Sequence, residues 1–113
     1  TSLGAAINVL SACSGKRYLV LGDMGELGES ASSLHRDAGE QARAAGLDGL
    51  FTTGELSLAA TKAFGAGAVH FESSDELLSV LINQLANDTT VLVKGSRSMR
   101  MEQVVNQLIE EQV

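Results

Sequence analysis

Lys94, Ser96, Arg97 and Arg100 put three cations and a hydroxyl within seven positions, directly after the apolar run Val91-Leu92-Val93. Lys and Arg donate charge-assisted hydrogen bonds, and backbone N–H groups at a helix start point at an anion too. The loop beginning Lys94-Gly95-Ser96 therefore suits one small carboxylate or phosphate; solvated surface charge is the plain alternative. An acidic counterpart follows the run Tyr18-Leu19-Val20-Leu21. It reads Gly22-Asp23-Met24-Gly25-Glu26-Leu27-Gly28. Asp23 and Glu26 can take Mg²⁺ through water, or accept a hydrogen bond from a ribose or an amine. Asp23 can equally accept N–H bonds within its own turn, and Glu26 with Glu29 can favour the dipole of the next helix.

Other chemistries find less support. Gly22, Gly25 and Gly28 do not have the G-x-G-x-x-G spacing of a dinucleotide loop, and the acid expected after the second strand could only be Glu55, past Gly54. No G-x-x-x-x-G-K-[ST] loop exists: Gly15-Lys16 precedes the first strand, and Lys94-Gly95 has the order reversed. The chain should not split ATP alone. His35 and His70 are the two histidines and are too far apart to form a recognisable metal motif. His70 reads as structural or half exposed in a strand, whereas the role of His35 stays open. No Ser-His-Asp arrangement can be placed.

The elements that must hold these loops alternate. Leu3, Ala6, Ile7, Leu10 and Cys13 have helical spacing, and Gly15 can stop that helix. Residues 18–21 read as a strand covered on both faces. Residues 31–45 predict a helix with Ala31, Leu34, Ala38, Ala42 and Ala45 on its buried stripe and Gly46 closing it. Residues 49–53 predict a second strand, closed by Gly54. A helix over 55–64 follows, carrying Leu56, Ala59, Ala60, Ala63 and Phe64, a small stripe that should pack close to the sheet. Residues 68–72 predict a short strand near an edge. Ser73 and Glu76 have capping-box spacing before Leu77, Leu78, Leu81, Ile82 and Leu85. Residues 90–93 predict a fourth strand, and a helix from about Ser98 carries Met101, Val104, Val105, Leu108 and Ile109. Such alternation gives right-handed βαβ crossovers, hence an α/β fold with a mainly parallel sheet.

The length of 113 residues suits one domain. The net charge of −6, with no basic stripe, argues against nucleic acid as a partner. No apolar stretch approaches the roughly 20 residues of a membrane span, and no signal peptide is expected. The single Cys13, read as a buried small hydrophobe, cannot form an internal disulfide, which fits a reducing compartment. Thr1-Ser2, good cap types, run straight into a helical pattern without an initiator Met. This reads as a piece excised from a longer protein, with trimming as the alternative.

Two motifs carry a resemblance. Leu21-Gly22-Asp23-Met24-Gly25-Glu26-Leu27-Gly28 with His35 and Gly39, and the stretch from Val91 through Lys94-Gly95-Ser96-Arg97 to Arg100 and Glu102, resemble the C-terminal domain of the Mur ligase family. They are most similar to its D-Ala-D-Ala-adding branch. His70-Phe71-Glu72 ahead of Asp75-Glu76-Leu77-Leu78 fits as well, so the resemblance covers the whole chain, 1–113. It implies a three-layer Rossmann-like domain that closes over ATP and receives the incoming amino compound. The reaction implied is attack of the D-Ala-D-Ala amine on an acyl phosphate of UDP-MurNAc-tripeptide, in the cytoplasm, for peptidoglycan synthesis. Asp23 would then face the ATP cleft, and Lys94, Gly95, Ser96, Arg97 and Arg100 would line the dipeptide pocket. Glu26 and His35 receive no assigned role, and no general base or metal ligand is assigned. The P-loop and most contacts to ATP and Mg²⁺ would belong to a central domain outside this chain, so no tightly bound cofactor is expected. A hinge strand would also lie outside it, leaving a sheet edge as an association risk, although a monomer is expected. A stand-alone anion- or nucleotide-binding module and a dehydrogenase domain are the rival readings.

Overall fold

The computed structural model describes residues 3–24 and 28–95. Glu26, Ser96, Arg97, Arg100 and the helix expected from Ser98 lie outside the described residues. Eight main elements follow in the order α1 (Leu3–Ser11), β1 (Lys16–Leu21), α2 (Ala31–Ala44), β2 (Gly49–Thr53), α3 (Leu58–Phe64), β3 (Ala68–Phe71), α4 (Ser74–Ile82) and β4 (Thr89–Lys94). The four strands form one parallel sheet in the order β3-β2-β1-β4. The short β3 sits at an edge, as its length suggests.

The sheet separates two cores. Ile7, Leu10, Leu19, Leu21, Ala38, Ala42, Leu50, Ala60 and Phe64 join α1, α2 and α3 to one face. Tyr18, Val20, Phe51, Phe71, Leu77 and Leu81 join α4 to the other. Successive residues of β1 and β2 alternate between the cores, as the period of two requires. The layering follows from the strand order. The path steps from β1 to β2 to β3 in one direction with α2 and α3 on one face, then reverses to reach β4. A crossover of unchanged hand must then lay its helix on the opposite face, and α4 lies there.

The helices differ from the sequence pattern in four places. α1 ends at Ser11, so Cys13 is not a buried helical residue; it is half-buried in the following turn, its Sγ 3.6 Å from the Val9 carbonyl oxygen. The end tightens through Ala12 N–H to Val9 O and Cys13 N–H to Leu10 O, and the Arg17 guanidinium takes the Ser11 carbonyl at 2.7 Å. Leu34 of α2 is 42% exposed, and the buried stripe is His35, Ala38, Gly39 and Ala42. Gly39 has to face inward because a Cβ there would stand 2.8 Å from the Cα of Ala60. The small stripe of α3 thus serves contact with α2 as well as with the sheet. Finally, α3 starts at Leu58 rather than 55, and α4 stops at Ile82 ahead of Leu85.

Gly46 closes α2 as expected. Its N–H donates to Arg43 O and that of Leu47 to Ala42 O, the two bonds of a Schellman end. Ser73 Oγ accepts from Glu76 N–H at 3.2 Å and starts α4.

At the amino ends of the strands, Arg17 knits the loops together. Its guanidinium donates to Ser11 O and Gly46 O, and its backbone N–H donates to Asp48 Oδ2 at 2.9 Å. That backbone bond, helped by the guanidinium 3.5 Å away and opposed by partial desolvation, holds the Asp48 carboxyl below its ordinary 3.8. A folded value below the unfolded one stabilises at pH above about 4 and is lost as pH falls through the folded value. Thermal melts should therefore show a smaller loss of Tm between pH 7 and pH 3 in Asp48→Asn than in the parent. An equal loss would remove Asp48 from the acid response.

Candidate functional site

The order β3-β2-β1-β4 makes the gap between β1 and β4 the place where the chain reverses direction. Loops leaving neighbouring strands on the two sides of such a reversal turn apart, so a crevice opens at the carboxyl ends, the usual ligand position in open α/β sheets. The strands that end there lead, in sequence, into the acidic segment after β1 and the basic segment after β4, of which Gly22, Asp23, Met24 and Gly95 are described. Leu21 pairs with Lys94 in register, and Gly22 N–H donates to Lys94 O at 2.8 Å. Lys94 is the last residue of β4, half-buried, and Gly95 is exposed.

Among the described residues, Asp23 bonds outside its own turn. Its Oδ1 accepts from Ser57 N–H at 2.8 Å and Ser57 Oγ at 2.9 Å, and its Oδ2 accepts from Leu56 N–H at 3.2 Å. These N–H groups belong to the turn that starts α3, where the first donors of a helix have no partner within it. Ser57, at the capping position, makes no side-chain cap of its own. Asp23 supplies the cap from 34 residues away, with its charge at the favourable end of the helix. Gly54 permits this: its φ is +101°, and a Cβ there would fall on the Asp23 carboxylate.

His35 fixes the same loop from the other side. It is completely buried. Its Nε2 lies 3.0 Å from Met24 N, and its Nδ1 lies 2.6 Å from the Ala31 carbonyl oxygen. A carbonyl only accepts and an amide N–H only donates, so the proton sits on Nδ1 and Nε2 is the acceptor. The ring in this arrangement is neutral. His35 thus holds the backbone of Met24, directly after Asp23. His70, half-buried in β3, bonds to Thr52 Oγ1 at 2.7 Å and is part of the fold.

A cavity of about 290 Å³ opens beside this loop, between α1 and α2, where Leu3, Met24, Leu34 and Gln41 meet. It accounts for the exposure of Leu34 and is separate from β4. Among the described residues no three His, Cys, Asp or Glu side chains come together around a possible metal. None of the described helices is long and apolar enough to cross a membrane.

Sequence reasoning missed Ser57, Thr52 and Thr61, all of which connect to Asp23. A signal was available at Thr52-Thr53, where two hydroxyls end a predicted strand next to Gly54, because a hydroxyl that the fold buries needs a partner.

Comparison with known proteins adds independent findings. The family described as Mur ligase, glutamate ligase domain, matches residues 1–97. The UDP-N-acetylmuramoyl-tripeptide–D-alanyl-D-alanine ligase of Escherichia coli (strain K12) is 43% identical over 111 residues, 96% of this chain and 24% of that protein. Its counterpart in Bacillus subtilis (strain 168) is 34% identical over 117 residues, covering 97% and 26%. A crystal structure of MurF from Acinetobacter baumannii superposes with a TM-score of 0.83 at 30% identity, covering 97% of this chain and 26% of that one. The chain spans about a quarter of the length of these relatives.

Proposed function

Because the chain belongs to the Mur ligase family, we propose that it is the C-terminal domain of a cytoplasmic ligase that uses ATP to join D-Ala-D-Ala to UDP-MurNAc-tripeptide. The observation that carries this reading is the pairing of β1 with β4 at the strand reversal, which sets Leu21 beside Lys94. Relatives that bear the name of this ligase, at 43% and 34% identity over nearly the whole chain, supply the substrates. In this reading the peptide carboxylate is first phosphorylated elsewhere in the ligase. The dipeptide amine then attacks the acyl carbon, and phosphate leaves as the tetrahedral adduct collapses.

The domain contributes no P-loop and no metal cage. Its task is to bring the amine to the acyl phosphate and to shut water out, both sources of rate enhancement. Lys94 and Gly95, with Ser96, Arg97 and Arg100, take the dipeptide, whose carboxylate suits a Lys or Arg partner. The loop of Asp23 and Met24, pinned by Ser57 and His35, forms the nucleotide side. ATP and Mg²⁺ are held mainly by the central part of the ligase, and the UDP-linked peptide by its first part. The domain acts as a monomer.

Titrating the chain with D-Ala-D-Ala, followed by amide chemical shifts, tests the reading. Shifts should concentrate at residues 94–101, and no ligation should occur with ATP, dipeptide and UDP-MurNAc-tripeptide present. Shifts at Leu34 and Gln41 alone would move the dipeptide to the α1–α2 cavity and overturn the assignment. Tight ATP binding by the chain alone would favour a stand-alone nucleotide-binding module.

A further inference from the structure

Behind Asp23, polar groups from two strands and one helix with its capping residue lie on a single hydrogen-bond line. Thr61 Oγ1 donates to Ser57 O at 3.2 Å. A hydroxyl has one proton, so Thr61 must accept from Thr52 Oγ1, 2.6 Å away. Thr52, its own proton thus used, must accept from His70 Nδ1 at 2.7 Å. All three contacts are satisfied together only when the proton of His70 is on Nδ1. At the other end, Ser57 turns its N–H and its hydroxyl on Asp23 Oδ1. Thr52 and Ser57 are completely buried, so water does not compete for these bonds.

The bonds at Asp23 bear on what it offers a ligand. A carboxylate has about four acceptor positions. Among the described residues three are filled, two on Oδ1 and one on Oδ2. We propose that Asp23 presents one remaining acceptor position, on Oδ2, to a single hydroxyl or amine hydrogen of a ligand in the crevice, and that it does not coordinate a divalent cation. Ser57, Thr61, Thr52 and His70 are its positioning residues.

A hard cation needs about six oxygen ligands, and Asp23 faces N–H donors at the positive end of a helix. A ribose hydroxyl needs only the one position. The ribose identity rests on the ligase reading above; the directed line and the exclusion of a cation do not.

NMR of the chain tests each part. His70 should be the Nδ1–H tautomer. Thr52→Val, which keeps the shape and removes the hydroxyl, should release that tautomer and speed amide exchange at Leu56 and Ser57 about tenfold. His70→Asn, whose side-chain NH₂ replaces the Nδ1 donor, should keep both amides protected. Adenosine should shift the Asp23 carboxyl carbon saturably, more than 2′,3′-dideoxyadenosine does, and Mg²⁺ should leave it in place. An Nε2–H tautomer in the parent overturns the line. A saturable Mg²⁺ shift, or none with adenosine, overturns the ligand assignment. Failure of the ligase reading would show in the dipeptide titration instead, which neither the tautomer nor the Mg²⁺ titration depends on.

Discussion

Replacing Gly54 with Ala should cost about 3 kcal/mol of stability and loosen the crevice at the same time. Two separate costs combine. The backbone at φ +101° is open to glycine and strained for an L-residue, on the order of 1–2 kcal/mol. The new methyl would also fall on the Asp23 carboxylate and drive it off Leu56 and Ser57. Ser57 is completely buried, so its released N–H would lack a partner, roughly another 1–2 kcal/mol. Tm should fall by about 12 °C for a domain of this size. Because the second cost runs through one carboxylate, Gly54→Ala combined with Asp23→Ala should be less destabilised than the sum of the two single changes. Strict additivity would mean that the two residues do not act on each other.

Replacing His35 with Leu should cost about 2 kcal/mol, although Leu fills a similar volume and is apolar. Packing alone would make this change mild. The cost arises because Met24 N–H loses its acceptor on Nε2 and the Ala31 carbonyl loses its second donor. His35→Gln should recover much of the loss, since Gln carries an acceptor at comparable reach and a donor beside it. Chemical denaturation of the three proteins is the measurement. A Leu variant as stable as the parent would show that His35 only fills space. The amide shifts of residues 22–24 should follow the same ranking, because the bond holds that loop.

The alternation of strand and helix was readable because each strand is a short apolar run ending at a glycine or a polar loop, and each helix carries a stripe. The two loops that matter could be picked from residue types alone. Their adjacency could not: nothing local to Leu21 or Lys94 says that they pair, since strand order is decided by contacts across the whole chain. The same holds for Asp23. Its own turn offered plausible N–H partners, yet the carboxylate goes to Ser57, where a helix start lacks a cap. The stripe of α2 was misread at Leu34 because spacing of four fits both Leu34-Ala38-Ala42 and His35-Gly39. Only the close approach of Ala60 makes the glycine the inward residue. His35 gave no reading from its neighbours in sequence because one of its two partners, Met24, is 11 residues away.

Reception of the dipeptide at the β4 loop is tested most directly by steady-state kinetics of Lys94→Ala, Arg97→Ala and Arg100→Ala in a ligase that carries this domain. Loss of a charge-assisted bond to the dipeptide carboxylate should raise the dipeptide KM about tenfold or more in at least one variant. The ATP KM should stay within about twofold. Dipeptide kinetics unchanged in all three variants would contradict the assignment.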